Sequence, residues 1–198
     1  MEKEFQEILT GRLKIHIHDA NLMQAAVLIP LFVREGEYNL LFTRRTETVE
    51  HHKGQISFPG GRRDPEDPDL LATALREAEE EMGIQRKDVR IVGELDDICT
   101  VTNFCVAPFV GLIPYPYPFQ INLHEIEEVL EIPLAILLNK AHFREEIRER
   151  DGQSYPAFFY QYKHHAIWGA TARILKQLLD LLPQGKEIGK PADQGLEG

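Results

Sequence analysis

The sequence of 198 residues has few of the features that crosslink a chain or anchor it in a membrane. Cys99 and Cys105 are its only cysteines. Both lie in strand-like sequence without potential metal ligands nearby, so we expect reduced, packed thiols. No apolar run approaches the roughly 20 residues of a membrane span, and the charged N-terminal residues lack the apolar segment of a signal peptide. A cytoplasmic location without membrane contact is therefore predicted.

Positive charge is also scarce, since 22 Lys and Arg stand against 32 Asp and Glu, for a formal net charge of -10. Nucleic acids and anionic membranes are bound by basic surfaces, so this balance argues against either partner. Residues 43 to 63 depart from it, because they hold only two acidic residues beside a set of basic ones: Arg44, Arg45, Lys53, Arg62 and Arg63. Such a local cluster can bind the phosphate of a small molecule.

The apolar patterns predict strands alternating with helices in one domain over residues 1 to 182, followed by a polar tail, 183–198, that we expect to be mobile. An α/β fold, an α/β/α sandwich around a mixed sheet, follows from this order. The predicted strands are 25–33, 38–45, 89–101, 104–113 and a hairpin over 142–163. The predicted helices are 3–10, 70–82, 166–182 and residues 123–139, read as two helical pieces interrupted at Pro133.

The helix predicted over residues 70–82 has an unusual charge pattern. Glu77, Glu80 and Glu81 fall on one arc of about 100° beside the apolar stripe, whereas Glu79 falls on the other flank and is expected to be solvated. Gly83 is the expected helix stop, so the acids lie at the negative end of the helix dipole, where cations are normally favoured. Like charges one turn apart also repel, by roughly 0.2 to 0.5 kcal/mol per pair.

Two interpretations of this acidic arc compete. Most Glu-rich helix faces are simply solvated. An arc of carboxylate oxygens is, however, the donor set that Mg²⁺ or Mn²⁺ prefers, and Mg²⁺ completes its coordination with water and substrate phosphates. The glycine pair of "FPGG", Gly60 and Gly61, stands just before the helix and would let backbone groups approach a ligand. Together these features favour a metal site that receives a diphosphate.

The stretch "REAEEEMGI", residues 76–84, resembles the second half of the Nudix box, G-x5-E-x7-R-E-U-x-E-E-x-G-U with U aliphatic. The first half of the box fits if one residue is inserted. Gly61 is then the first Gly of the pattern, Asp67 follows after five residues in place of the Glu, and eight residues instead of seven separate Asp67 from Arg76. Residues 40–84, with Thr43, Arg45, "GQI" and "FPGG", resemble the coenzyme A pyrophosphatase branch of this family. Residues 124–138 and 167–175 are also similar to that branch. One position departs, because Glu50 stands where the branch usually has Arg.

The resemblance implies a Nudix-type sandwich and a Mg²⁺- or Mn²⁺-dependent hydrolysis of coenzyme A or its derivatives, giving adenosine 3',5'-bisphosphate and 4'-phosphopantetheine. It implies that the metal is held by Glu77, Glu80, Glu81 and the Gly60 carbonyl. Arg76 would orient the glutamates through an acid such as Asp67. The catalytic base could be either Glu80 or Glu125. For Glu125, a role as a helix cap or a solvated residue is as plausible as a role as the base. Predicted substrate contacts are Arg45, Lys53, Gln55 and Arg62.

Other interpretations stay open at this point. The substrate could instead be ADP-ribose, a dinucleotide or a diadenosine polyphosphate, and Glu50 puts the 3'-phosphate preference in question. A Nudix-like domain could also bind a nucleotide without cleaving it, although such modules commonly lack a box glutamate and this chain retains all three. The runs "HHK" (51–53) and "KHH" (163–165) are read as polar loops or phosphate contacts rather than metal sites. The chain is expected to be a monomer or a homodimer.

Overall fold

The computed structural model describes residues 2–47, 53–150 and 152–182. Three sequence-based predictions concern residues outside these ranges: the departure at Glu50, the histidines of the 51–53 run and the mobile tail. Within the described ranges, no helix combines the length and the apolar character needed to cross a membrane. Cys99 and Cys105 are free thiols, as expected.

The main sheet contains eight strands of mixed direction. Its central path runs β3-β2-β1-β7-β5, while β4 pairs with β1, β6 with β7 and β8 with β2. Strands β1 and β7 are parallel and the other pairs are antiparallel. The strands are β1 Met23–Arg34, β2 Glu37–Arg45, β3 Ile56–Ser57, β4 Gly60–Arg62, β5 Arg90–Glu94, β6 Ile98–Cys99, β7 Phe104–Leu112 and β8 Ile126–Pro133.

The predicted hairpin between residues 25–33 and 38–45 is confirmed. Arg34 pairs with Glu37, so the turn contains only Glu35 and Gly36, and both have positive φ, at 53° and 80°. Two central residues with positive φ give the backbone twist that joins antiparallel strands tightly. The segment predicted as one strand over 89–101 is instead two short strands, β5 and β6, both paired with β7.

Helices cover both faces of the main sheet, which confirms the predicted α/β/α sandwich. Helix α2, Leu70–Met82, packs on one face, and α1, Glu2–Thr10, and α4, Gly169–Leu181, pack on the other. Because side chains alternate along a strand, Leu41 enters the core beneath α2 and Phe42 enters the core beneath α4.

The helix predicted over 123–132 is wrong. This segment forms strand β8, which pairs antiparallel with β2, and only the second piece, α3 at Leu134–Leu138, is helical. Its Glu and Leu residues have high helix propensity, but Ile126, Leu130 and Ile132 are buried at even spacing. That two-residue period fits a strand against the β2 edge, and tertiary pairing overrides the local preference.

A second sheet of three strands follows β8, in the order β11-β10-β9. Strands β9, Phe143–Arg150, and β10, Gln153–Tyr162, are the predicted hairpin and pair antiparallel as expected. Strand β11, His165–Ile167, occupies the first residues of the segment predicted as the last helix, which begins at Gly169. Ile174, Leu175 and Leu178 of α4 are buried, in agreement with their helical spacing.

Candidate active site

Helix α2 has the predicted bounds of 70 and 82, and both ends are capped by the residues around it. The Asp69 carboxylate accepts a hydrogen bond from the Ala72 amide at 2.7 Å. Gly83 follows the helix with a φ of 71°, and its amide donates to the Glu79 carbonyl. A Cβ at Gly83 would lie 2.7 Å from Cβ of Gln120, so glycine also permits the close approach of a neighbouring loop.

This neighbouring loop caps the acidic end of α2. The Gln120 amide donates to the Met82 carbonyl at 2.9 Å and the Asn122 amide donates to the Glu81 carbonyl at 3.0 Å. The final carbonyls of a helix have no partner within the helix, so these bonds offset part of the dipole effect. The docked loop also brings Glu125 to the end of α2. The sequence does not reveal these contacts, because no local pattern specifies that a loop almost 40 residues after α2 will pack against its end.

The box glutamates differ sharply in exposure. The Glu81 side chain is 4% exposed and that of Glu77 is 17% exposed, whereas that of Glu80 is 57% exposed. Glu79 is exposed, as predicted. Glu77 and Glu81 therefore do not belong to a solvated face, because a carboxylate loses hydration when it is buried.

Burial changes the acidity of both inner glutamates. It raises the pKa of Glu81 to about 8, against the attraction of Arg45 and with added repulsion from Glu77 and Glu125. It also raises the pKa of Glu77, although Arg76 acts in the opposite direction. Oε2 of Glu81 is buried and accepts no hydrogen bond from the described residues. A buried carboxylate oxygen without a partner fits a cation ligand, and these oxygen donors suit Mg²⁺ or Mn²⁺.

Arg76 joins the acidic helix to the preceding loop. Its Nε and Nη2 each donate to the Asp67 carboxylate at 3.1 Å, and its Nη1 lies 3.0 Å from both Glu77 Oε1 and Glu80 Oε2. Asp67 is buried and also accepts a hydrogen bond from Thr73 at 2.9 Å. The hydrogen bonds from Arg76 are the main cause that lowers the pKa of Asp67 to about 2. Asp67 thus fixes the Arg76 guanidinium, and Arg76 in turn orients Glu77 and Glu80.

Gly60 and Gly61 belong to strand β4, and Gly61 lies against the side chain of Glu77. A Cβ on Gly61 would lie 2.5 Å from Cδ of Glu77, so the carboxylate occupies the space that a side chain would fill. Gly60 pairs with Val27, next to the Leu28–Pro59 pair, in which the Leu28 amide donates to the Pro59 carbonyl. In an antiparallel ladder, the polar groups of a residue next to such a pair point away from the partner strand. The Gly60 carbonyl therefore points away from Val27 of β1.

Arg45 lies between the helix and the docked loop. Its Nη1 is 3.3 Å from Glu81 Oε1 and its Nη2 is 3.6 Å from Glu125 Oε2. The Glu125 carboxylate also accepts from the Asn122 amide group at 3.3 Å, and its side chain is 44% exposed. Glu125 precedes strand β8 and caps no helix. The structure therefore brings Glu125 together with Arg45 and Glu81.

Of the other predicted substrate contacts, Gln55 is joined to Arg45, whereas Arg62 lies on the opposite face of the sheet. Lys53 is exposed in the turn before β3, and the half-buried Gln55 accepts the Arg45 amide through its carbonyl at 3.0 Å. The Arg62 carbonyl accepts from Arg76 at 3.2 Å. Its side chain is exposed, and Arg62 pairs with Ala25, a residue of the core on the far side of the sheet from α2. Arg62 helps to line a separate open cleft of about 250 Å³.

Comparison with known proteins agrees with this geometry. The model of the NUDIX domain matches residues 22–104. An uncharacterized Nudix hydrolase, NudL, from Photorhabdus laumondii is 40% identical over 158 residues, which cover 80% of this chain and 84% of the relative. A NudL protein from Yersinia pestis is 39% identical over 163 residues, or 82% of this chain and 81% of the relative.

Solved structures support the fold. The Nudix hydrolase of Alicyclobacillus acidocaldarius aligns with a TM-score of 0.51 at 17% identity, covering 82% of this chain and 93% of that one. A MutT/nudix family protein of Enterococcus faecalis aligns with a TM-score of 0.52 at 12% identity, covering 81% and 62%. The chain belongs to the Nudix hydrolases, pyrophosphohydrolases that act on small nucleotides linked through a diphosphate and generally need divalent metal ions.

Proposed function

We propose that this chain hydrolyses the diphosphate of coenzyme A or its derivatives, with Mg²⁺ or Mn²⁺ as the metal. The observation that carries the proposal is the burial of Glu81 and the partial burial of Glu77 beside Gly60 and Gly61, with one Glu81 oxygen that accepts no hydrogen bond from the described residues. The choice of coenzyme A rests on the "GQI" and "FPGG" segments and their branch resemblance. The cytoplasmic location and the single domain over residues 1 to 182 belong to the same proposal.

The metal would be held by Glu77, Glu80, Glu81 and the Gly60 carbonyl. When bound, a divalent cation neutralises a diphosphate and lowers the pKa of a coordinated water. Arg76 is the positioning residue, because it fixes Glu77 and Glu80 while Asp67 fixes Arg76. This preorganisation matters because a site already arranged for its cation and substrate needs little rearrangement during the reaction.

Two carboxylates can accept the proton of the attacking water. Glu80 is exposed but held at 3.0 Å by Arg76. Glu125 is partly exposed and lies 3.6 Å from Nη2 of Arg45. Arg45 and Lys53 would supply positive charge to the substrate phosphates, and Gln55 would supply a neutral hydrogen-bonding group. Arg62 is left out of this set, because it pairs with Ala25 on the opposite face of the sheet.

Product identification tests the proposal most directly. The protein is incubated with coenzyme A and, separately, with ADP-ribose in H₂¹⁸O with Mg²⁺ or Mn²⁺, and the products are identified by mass spectrometry. We expect faster cleavage of coenzyme A, to adenosine 3',5'-bisphosphate and 4'-phosphopantetheine, and the labelled product identifies the phosphorus attacked. Faster cleavage of ADP-ribose would overturn the choice of coenzyme A and leave the pyrophosphohydrolase class in place.

A further inference from the structure

Three potential metal ligands converge at a place that the Nudix chemistry does not use. One ligand atom from each of Glu128, His164 and His165 lies within 4.8 Å of the other two. His165 is buried, Glu128 is half-buried and His164 is exposed. Two imidazoles and one carboxylate form a donor set that is common around zinc and unlike the all-oxygen set of the box glutamates.

This cluster lies on the opposite face of the main sheet from α2. Arg45 points toward Glu81 of α2, so its neighbour on β2, Arg44, points to the other face, where its guanidinium lies 3.3 Å from Glu128. Leu130 of β8 and Ile167 of β11 are two residues from Glu128 and His165, and both belong to the core beneath α4. The cluster is therefore separated from the box glutamates by the sheet.

A tight turn explains how adjacent histidines come to share this place. Tyr162 pairs with His165, so the connection between β10 and β11 contains only Lys163 and His164. Lys163 has a φ of 54°, an uncommon value for a residue with a side chain. Neighbouring residues in a strand point to opposite faces. His164 instead lies in the turn, and its ring centroid is 3.9 Å from that of His165.

The distance between the two inner ligands is compatible with a shared cation. Nε2 of His165 lies 3.4 Å from Oε1 of Glu128. Two ligands at tetrahedral positions about 2.0 to 2.1 Å from Zn²⁺ are separated by about 3.4 Å. The other Glu128 oxygen faces Arg44, which orients the carboxylate in the manner of an outer-shell partner.

We propose that Glu128, His164 and His165 form a binding site for a zinc-type divalent cation, independent of the catalytic metal. Glu128 belongs to β8 in the main sheet, whereas both histidines belong to the β10–β11 hairpin of the second sheet. A cation bound here connects the two sheets. Since such a cation binds only the folded arrangement, it stabilises the protein.

The test measures Zn²⁺ affinity by competition with a chromophoric chelator. The metal-free parent carries Glu77→Gln and Glu81→Gln, which disable the catalytic site. We expect one tight Zn²⁺ per chain in this parent, and a weakening of roughly tenfold or more after His164→Gln or Glu128→Gln. His124→Gln is the matched control, because His124 is also an exposed histidine outside the cluster, and it should bind Zn²⁺ like the parent.

Co²⁺ provides a second measurement that does not depend on stability. Bound to the parent, it should show the strong visible absorption of a four- or five-coordinate site, and His164→Gln should abolish that absorption. A parent without a tight Zn²⁺ equivalent overturns the proposal. The same conclusion follows if His164→Gln and His124→Gln bind Zn²⁺ equally well.

Discussion

Asp67 accepts hydrogen bonds from Nε and Nη2 of Arg76, which leaves Nη1 of the same guanidinium free to face Glu77 and Glu80. The inserted residue in the Nudix box therefore does not uncouple its two halves. Asp67 occupies the place of the usual glutamate, and its shorter side chain still reaches Arg76 because the loop folds the Asp67 carboxylate inward, against Thr73.

Asp67→Asn should lower both stability and kcat. A neutral amide loses the charge-assisted bonds to Arg76 that lower the pKa of Asp67 to about 2 in the folded protein. The expected loss of unfolding free energy is about 1 kcal/mol, because solvent screens part of this interaction. Urea unfolding and steady-state kinetics measure the two effects. Glu66→Gln, at an exposed position of the same loop, is the control and should change neither quantity.

The stability loss of Asp67→Asn should depend on pH in a defined direction. The pKa of Asp67 is lower in the folded protein than in the unfolded chain, so its contribution is complete above pH 4 to 5 and is lost as the pH falls through about 2. The difference in unfolding free energy between the two proteins should be constant from pH 6 to 8 and shrink in acid. A difference that grows in acid contradicts this account.

Gly61→Ala and Gly60→Ala should have different consequences although the residues are neighbours. The three atoms nearest to a Cβ at Gly61 all belong to the flexible end of Glu77, so we expect the carboxylate to move and the fold to persist. A Cβ at Gly60 would lie 2.4 Å from the Ala26 carbonyl oxygen and 2.7 Å from Val27 Cα, which are backbone atoms. We expect Gly61→Ala to retain its melting temperature but lose metal affinity and activity, and Gly60→Ala to be strongly destabilised. Equal melting temperatures would contradict this difference.

Glu80→Gln and Glu125→Gln should separate the ligand role from the base role. A general base contributes roughly 10² to 10⁴ in rate. If Glu125 is the base, Glu125→Gln lowers kcat by that amount while the rise in melting temperature on adding Mg²⁺ stays as in the unmutated protein, because Glu125 is not among the proposed ligands. Glu80→Gln should reduce both. Glu125→Gln with an unchanged kcat would assign the base role to Glu80.

Glu50→Arg should improve the use of coenzyme A selectively. The coenzyme A pyrophosphatase branch usually has Arg at this position, where a cation can bind the 3'-phosphate. The KM for coenzyme A should therefore fall more than the KM for dephospho-coenzyme A, which lacks that phosphate. Equal changes in the two KM values would remove the 3'-phosphate explanation.

The elements that sequence predicts best are those whose residues interact with near neighbours. Helix α2 is specified by its Asp69 cap, its apolar stripe and Gly83, and its bounds agree with prediction. Strand β8 is determined by pairing with β2, over 80 residues earlier in the chain, and its Glu-rich sequence conceals this. The same holds for the site. The acidic arc is visible in the sequence, whereas the loop at Asn122 and the convergence of Glu128 with His165 depend on contacts between distant segments.

Glu81→Gln should show whether the acidic end of α2 is a metal site by changing stability and activity in opposite directions. The pKa of Glu81 is raised from 4.5 to about 8 in the folded protein, so without metal the charged carboxylate destabilises the fold progressively as the pH rises from about 4.5 to about 8. Metal-free Glu81→Gln should therefore match the unmutated protein near pH 5 and be at least as stable near pH 8. Glu79→Gln, an exposed neighbour on the same helix, is the control and should have no such effect.

Adding metal should reverse the comparison between Glu81→Gln and the unmutated protein. A ligand that binds only the folded state stabilises it by about 2.7 kcal/mol at a hundredfold excess over Kd. Mg²⁺ or Mn²⁺ should therefore raise the melting temperature of the unmutated protein and of Glu79→Gln, and raise that of Glu81→Gln much less. The activity of Glu81→Gln should fall by roughly 10² or more, because charge stabilisation by the metal is lost. If Glu81→Gln is instead less stable without metal, remains active and responds normally to metal, then Glu81 serves only to pair with Arg45 within the fold.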